Sequence, residues 1–597
     1  MVRILVTLTL VFLSTACASA PASAPVAAAP AAVSTTDLSH YDQLVIVGTN
    51  DFHGYLRPVE AALSGEKVVL GGAEWFAGHV RILEKKFGDR LILLDAGDMF
   101  QGTMESNLFL GKSVVDFYNE LPYRAAAIGN HEFDYGDVKR SGPDRLGALK
   151  ARLRQAKFPF VQANIFIAGT DRPWREANLT PSAVFQAGGY KVGVIGLTTT
   201  STPAKTLPLN VRQLEFRDFV QPTIKEARAL RARGADIVIA LAHEGGEKPG
   251  DPINEFLREL PPGTVDVAVT GHTHTEIHQL VHGVPVIQSK TRGLFFGRID
   301  LFVNKATRKL EPSLTKLQPM HWICGTWFKT EEQCDHKGAR DHIAAGTTKV
   351  ADYLPLRKVT YEGEEVVPDA RVQEVLAPYF KKTDERKTEV LAQVSRDFDA
   401  YPSGETEMGD LWIRAFRWKF PKARVAYLNG GGFRRRFYKG PLTYGDLFEV
   451  HPFDNFAVEV RMNGKQLKDL IRVGVSGSNA IPSLYGLKVT YHGGQNPAYQ
   501  RDVNGDGVNE AWEEDRLASL TWEDTGKPVE DNEEFWLATN DYLVAGGDSL
   551  RHVFGSIPMS KRNYLDITQR DVAAEYLRAN RGLSLPLKEK SRIEKIE

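Results

Sequence analysis

Between about residues 41 and 320, short apolar runs alternate with longer stretches in which apolar positions recur every three or four residues. "QLVIVG", "RLILLDAG", "RAAAIG", "KVGVIGL", "ADIVIALA" and "VDVAVTG" are continuous enough in Val, Ile, Leu and Ala to predict strands buried on both faces. "GGAEWFAGHVRILEKKF" and "FVQPTIKEARALRARG" carry helical periodicity between them. This alternation predicts an α/β (α+β) domain over 41–345, with helices packed on a sheet. Residues 321–367 are irregular. The segment "PDARVQEVLAPYFKKTDERKTEVLAQV", 368–394, predicts a helix that starts after Pro368 and closes a connector over 346–394. A second domain is expected over 395–580, followed by a tail, 581–597. There is no internal repeat.

The N-terminus follows a different pattern. Arg3 precedes "ILVTLTLVFL", an apolar core of about ten residues, which suits a signal peptide and is too short to span a bilayer. In "LSTACASA", Cys17 follows small residues, an arrangement that resembles a bacterial lipobox and implies a diacylglycerol on that cysteine. Ser14 stands where the lipobox carries a large aliphatic residue, and plain cleavage near Ala18 or Ala20 is the alternative. Residues 18–40 are expected to be a linker, since the Ala, Pro and Ser of 18–36 bury no core. No later run is long and apolar enough to cross a membrane. These features predict an exported chain, in the periplasm or cell envelope, with a lipid anchor on Cys17 as the one expected route to membrane contact.

Composition narrows the classes further. The 597 residues are 42% hydrophobic and 25% charged, with a net charge of −1, as in an ordinary globular protein. The length corresponds to roughly three or four units. Arg434, Arg435 and Arg436 form the one block of like charge, and a nucleic-acid binder would show a basic stripe instead. Beyond Cys17 the cysteines are Cys324 and Cys334, and in an exported chain two so close together are expected to be bridged.

The predicted strands end in polar residues of a restricted kind. Asp51 and His53 follow the first run, Asp98 the second, and Asn130 and His131 the third; His243, then His272 and His274, follow two later ones. In open α/β sheets ligands bind outside the carboxyl ends of the strands. Imidazole, carboxylate and carboxamide oxygen suit borderline divalent ions such as Zn²⁺, Mn²⁺ or Fe²⁺. Three or four such groups hold one ion; seven, with one shared carboxylate, hold two, and Asp98 is placed to be the shared one. The spacing of two in Asp51-x-His53 and His272-x-His274 puts both side chains of each pair on one side of an extended chain. Any one of these residues alone reads as a turn residue or a satisfied polar group; five motifs in order at strand ends do not.

The order D-x-H, GD, GNHE, H, GHxH resembles the calcineurin-like metallophosphoesterases. "NDFHG", "DAGD", "GNHEFDYG" and "NGGGFR" narrow the resemblance to the bacterial and animal 5′-nucleotidase family, over about 41–575. That resemblance implies a four-layer αββα sandwich followed by a C-terminal α/β nucleotide-recognition domain. It implies two metal ions, one on Asp51, His53, Asp98 and His274, the other on Asp98, Asn130, His243 and His272, with a metal-activated water attacking phosphorus. His131 would stabilise the transition state or protonate the leaving oxygen, with Asp134 orienting it. Asn429, Gly431, Gly432 and Arg434 would meet the substrate, Phe453 and Tyr542 would sandwich a base, and Asp548 would lie near the nucleoside. The implied activity is removal of the 5′-phosphate from nucleoside monophosphates for scavenging. The alternatives are a 2′,3′-cyclic phosphodiesterase, a UDP-sugar hydrolase or a sulfur-ester hydrolase on the same scaffold, or a nucleotide-binding lipoprotein without turnover. Gly404 stands where the family carries an arginine, so one phosphate contact is missing or comes from Arg435 or Arg436.

One motif lies outside the resemblance. "DVNGDGVNEAWE" fits a calcium loop, with Asp502, Asn504, Asp506 and Glu513 at ligand spacing and Gly507 at the sharp turn. Asn509 replaces the usual aliphatic and the flanks are not clear helices, so the expectation is a lone structural Ca²⁺ loop, with a solvated acidic hairpin as the alternative.

Overall fold

The computed structural model describes residues 37–139, 143–398, 406–477, 480–493, 502, 510–587 and 591–596. Tyr41–Glu597 forms one compact unit, distinct from Met1–His40. Cys17, Gly404, Asn504 and Asp506 fall outside the described residues. Among the described residues no helix is long and apolar enough to cross a membrane.

The six apolar runs form the strands Tyr41–Thr49, Leu91–Asp95, Tyr123–Ala127, Tyr190–Thr198, Ile237–His243 and Val267–Thr270. They divide between two sheets. The first three lie parallel and adjacent within a seven-stranded sheet, with Phe295–Asn304 antiparallel beside Tyr41–Thr49. The last three are parallel within a six-stranded sheet. Alternation along a strand then builds the layers. Leu44 and Ile46 join a core shared with Ile239, Leu241 and Val269 of the second sheet. Val45 and Val47 face the other way, onto Phe76, Ala77, Val80 and Leu83 of the helix Ala73–Phe87. The outer face of the second sheet packs under the helices Val220–Ala232 and Pro252–Glu259. The result is the four-layer αββα sandwich. Its strands are buried on both faces, and each fully buried Val, Leu or Ile contributes about 1.5–3 kcal/mol.

The stretch 321–367, expected to be irregular, contains the helix His336–Ala344 and packs Trp327, Phe328 and Tyr353 in one small core with Leu63, Val68 and Ile82, stapled by a disulfide between Cys324 and Cys334 with Cα atoms 6.0 Å apart. The connector helix runs over Ala370–Lys387, not to 394. Asp369 caps it, and Val372 and Leu376 are buried in the core of the first lobe. Val390–Val394 is instead a strand, paired with Gly440–Thr443 and with Ser584–Leu585.

The second lobe is built on a five-stranded sheet in the order Ser483–Tyr485, Val425–Leu428, Glu534–Asn540, Phe456–Asn463, Arg562–Thr568. One face carries Glu407–Lys419 and Gln569–Ala579; the other carries Gly464–Val475. The expected tail also belongs here: Ile593–Ile596 runs parallel to Leu487–His492. Met104 of the first lobe is buried in the core of the second.

Candidate metal centre and adjoining cavity

Asp51, His53, Asp98 and Asn130 follow the carboxyl ends of strands in the first sheet, whereas His243, His272 and His274 come from the second. The shared core between the sheets therefore sets the distance between the two groups. The backbone beyond the strands is not extended. Asp51, His53, Asp98, His272 and His274 all adopt left-handed φ values, of 49°, 50°, 58°, 73° and 57°. The side chains of each pair are thus not placed on one side by an extended chain, as the spacing predicts; left-handed turns aim them. Non-glycine residues rarely hold this conformation, and its concentration here is strain of the kind found at functional sites. Gly129 has a steric role, since a Cβ there would stand 2.2 Å from Asp98 Oδ1.

Asp51 Oδ1 lies 3.1 Å from His274 Nε2 and 3.8 Å from His53 Nε2, and the two imidazole nitrogens face each other at 3.0 Å. Asp51 Oδ1 is buried with no hydrogen-bond partner. Around Asp98, its Oδ2 lies 3.1 Å from His243 Nε2, which is 3.2 Å from Asn130 Oδ1, while the His272 and His243 ring centres are 5.1 Å apart. Asp51, His53 and His274, and likewise Asp98, His243 and His272, present ligand atoms within 4.8 Å of one another. Backbone carbonyls fix the rings: His53 Nδ1 is 2.7 Å from the Gln101 carbonyl and His243 Nδ1 is 2.9 Å from that of Ala96, so both Nε2 atoms point inward.

These residues fit a pair of divalent cations. A proton can occupy only one of two facing Nε2 atoms, and the orphaned Asp51 oxygen adds a third electron-rich atom. Ligands about 2.1 Å from a shared ion lie roughly 3–4 Å apart, which covers the spacings around Asp51. Burial lowers the pKa of His53, and burial together with His243 lowers that of His272 to about 4, so both offer lone pairs. His243 is raised to about 10, because Asp98 outweighs its burial; a bound cation would displace that proton.

His131 borders this centre. Its N–H donates to Asp98 Oδ1 at 2.8 Å, and its ring centre lies 5.2 Å from that of His53. Its Nδ1 stands 2.6 Å from Asp134 Oδ2, and Asp134 Oδ1 accepts the Thr206 hydroxyl at 2.6 Å. Burial opposes the charged ring, but Asp134 and Asp98 outweigh it and raise His131 to about 10. Glu132 was legible only as a letter in "GNHE". Its carboxylate accepts the backbone N–H groups of Asp98 at 2.9 Å, Met99 at 2.7 Å and Gly129 at 2.6 Å, and so ties the two ligand loops together.

His53, His131, Asp134 and His274 open onto a cavity of about 1330 Å³, whose far wall includes Arg434, Phe453 and Tyr542 of the second lobe. Arg434 donates to the Gly431 carbonyl at 2.6 Å, and its guanidinium lies 4.9 Å from the Phe453 ring centre, covering one face. Tyr542 is half exposed and donates its hydroxyl to Asp548 at 2.9 Å. Asn429, Gly431, Gly432 and Asp548 are not among the residues lining the cavity; Asn429 accepts from Asn540 at 3.3 Å. Arg435 pairs with Glu449 and does not line it either, nor does Arg436. Of the calcium-loop residues, Asp502 is exposed, and Glu513 is buried with its carboxylate accepting the Glu510 N–H at 3.1 Å.

Comparison with known proteins agrees with this arrangement. Residues 44–276 match the calcineurin-like phosphoesterase domain and 386–555 the 5′-nucleotidase C-terminal domain. Endonuclease YhcR of Bacillus subtilis is 25% identical over 72% of the chain, which spans only 33% of that protein's length. Snake venom 5′-nucleotidase of Crotalus adamanteus is 24% identical over 90% of the chain and 86% of its own length. The crystal structure of a 5′-nucleotidase precursor from Thermus thermophilus superposes with a TM-score of 0.57 at 25% identity, covering 93% of this chain and 99% of that one. A phosphoesterase sandwich carrying Asp and His clusters, joined to this second domain, places the chain in the 5′-nucleotidase family as a metal-dependent phosphoric ester hydrolase.

Proposed function

We propose that this protein removes the 5′-phosphate from nucleoside monophosphates outside the cytoplasm. The observation that carries the reading is one cavity bordered by both His131 with its metal-ligand neighbours and by Arg434, Phe453 and Tyr542 of the second lobe. A nucleotide has a phosphate at one end and a planar base at the other, and the two walls offer matching chemistry.

Asp51, His53, Asp98 and His274 would hold one ion, and Asp98, Asn130, His243 and His272 the other. Divalent ions there supply positive charge for the phosphoryl oxygens and acidify water at neutral pH. The chain's own groups do the rest. His131, held cationic by Asp134, faces developing negative charge and holds a proton for the leaving oxygen. Arg434 offers two parallel donors to an anion, and Phe453 and Tyr542 offer ring faces to a base without reading its identity. Arg434 must leave one face of Phe453 before both rings can enclose a base.

The N-terminal signal-like segment and the Cys324–Cys334 disulfide support export, since disulfides persist in oxidising compartments. Mn²⁺-dependent phosphate release from AMP, UDP-glucose, cyclic 2′,3′-AMP and a sulfur ester, with His131→Ala beside wild type, tests the activity. AMP is expected to be the best substrate and His131→Ala to lose at least about a hundredfold. Equal and slow release by both proteins would leave only a binding module.

A further inference from the structure

Cations of the cavity wall differ in whether a carboxylate already holds them. Arg570 pairs with Asp454, Arg386 and Arg578 with Glu389, and Lys419 with Glu575. Arg292, which lines the cavity with His53 and His274, has no carboxylate within ion-pair distance among the described residues. Lys205, on the side of His272 and Asp134, shares this, but it sits on a short helix, Thr202–Lys205, without comparable fixing.

Arg292 follows the strand Val284–Ser289 on a loop bolted to the metal-ligand loop. Its N–H donates to the Asp51 carbonyl at 2.7 Å, and the Thr291 hydroxyl donates to the same oxygen at 3.0 Å. Asn50, which donates to Asp51 Oδ2 at 2.7 Å, also donates to the Lys290 carbonyl at 2.8 Å. Lys290 and Arg292 hold left-handed φ values of 48° and 66°. Gly293 follows at 60°, and a Cβ there would stand 2.5 Å from the Phe52 ring. A strained turn tied at Lys290 and Arg292 to the Asp51 loop keeps the Arg292 backbone beside the metal-ligand loop. The guanidinium lies 5.2 Å from the centre of the Tyr55 ring, another cavity residue. Stacking restrains the plane of an arginine while leaving its N–H edge free.

We propose that Arg292 is a substrate-binding residue whose N–H fork takes oxygens of the phosphate group being removed. The inference rests on the phosphohydrolase reading of this cavity, but it does not require that the ester be a nucleotide. An unpaired guanidinium that lines the same cavity as His53 and His274, on a backbone tied to the Asp51 loop, offers a phosphate dianion two charge-assisted hydrogen bonds in one plane.

The test compares the Mn²⁺-loaded full chain with Arg292→Ala and Arg292→Lys. KM for p-nitrophenyl phosphate, inhibition by inorganic phosphate, inhibition by adenosine, metal content and the shift in Tm produced by inorganic phosphate are measured for each. Arg292→Ala is expected to weaken phosphate binding and raise KM at least about tenfold, the loss of a charged hydrogen-bond pair. It should reduce the phosphate-induced Tm shift and leave adenosine inhibition and metal content unchanged; Arg292→Lys should recover part of the loss. Phosphate binding within twofold of wild type overturns the proposal, as does equal weakening of phosphate and adenosine, or loss of metal with both variants. AMP turnover by wild type reports separately on the nucleotidase reading, because the Tm shift with inorganic phosphate needs neither a nucleotide nor turnover.

Discussion

Asp134 Oδ2 stands 2.6 Å from His131 Nδ1, and the other oxygen of the same carboxylate is occupied by the Thr206 hydroxyl. The carboxylate is therefore held from the far side, and the histidine ring can take only the orientation that turns Nε2 toward the metal centre. Asp134→Asn keeps the shape and removes the charge that favours imidazolium. Its kcat on AMP is expected to fall about a hundredfold with KM little changed, because the lost effect belongs to the transition state. Thr206→Val should fall less. A KM increase without a kcat loss would assign Asp134 to substrate binding instead.

Asp454 links the lobes: it accepts from Asn107 of the first lobe and from the buried Arg570 of the second. Removing the carboxylate leaves a buried guanidinium without its counter-charge, and such losses cost about 3–5 kcal/mol. Asp454→Ala is expected to lower the unfolding free energy, measured by urea titration, by that order, and Asp454→Asn by less, because the amide oxygen still accepts. A cost for Asp454→Ala below about 1 kcal/mol would show that water replaces the pair.

Acid should destabilise the fold through histidines outside the metal centre. His79 is fully buried on the helix Ala73–Phe87, and burial lowers it to about 4 although its Nδ1 bonds to the Trp75 carbonyl at 2.8 Å. His321, whose ring centre is 5.0 Å away, is lowered to about 3 by burial and by His79. An unfolded histidine titrates near 6.5. Between the two values the unfolded chain binds more protons, so stability is full above pH 6.5 and falls as pH drops toward 4. For His79 alone this amounts to roughly 2 kcal/mol between pH 7 and pH 5. His79→Leu should therefore show a flatter dependence of unfolding free energy on pH over that range. Identical slopes would mean that His79 is not held neutral.

Much of the first lobe was readable because its strands are buried on both faces and leave unbroken apolar runs; "LVIVG" and "IVIALA" have few alternatives. The ligands were readable because His, Asp or Asn follows five of the six runs, all but "KVGVIGL". The left-handed turns at Asp51 and His274 were not, since local sequence does not disclose which residues the far sheet will force into strain. Glu132 and Arg292 escaped for a related reason: their partners, the Asp98 loop and the Asp51 carbonyl, lie 34 and 241 positions away in sequence. The strand Val390–Val394 escapes the local pattern because "TEVLAQV" has good helix formers and its pairing partners, Gly440–Thr443 and Ser584–Leu585, are distant. The tail residues Ile593–Ile596 pair with the sheet edge at Leu487–His492, a partner too distant in sequence for the local pattern to disclose.

The central claim is that Asp51, His53, Asp98, Asn130, His243, His272 and His274 together hold two divalent ions. An anomalous difference map from crystals soaked in Mn²⁺ tests it most directly. Two peaks are predicted, both against Asp98, one shared with Asp51, His53 and His274 and the other with Asn130, His243 and His272. A map with no peak among these side chains would contradict the account.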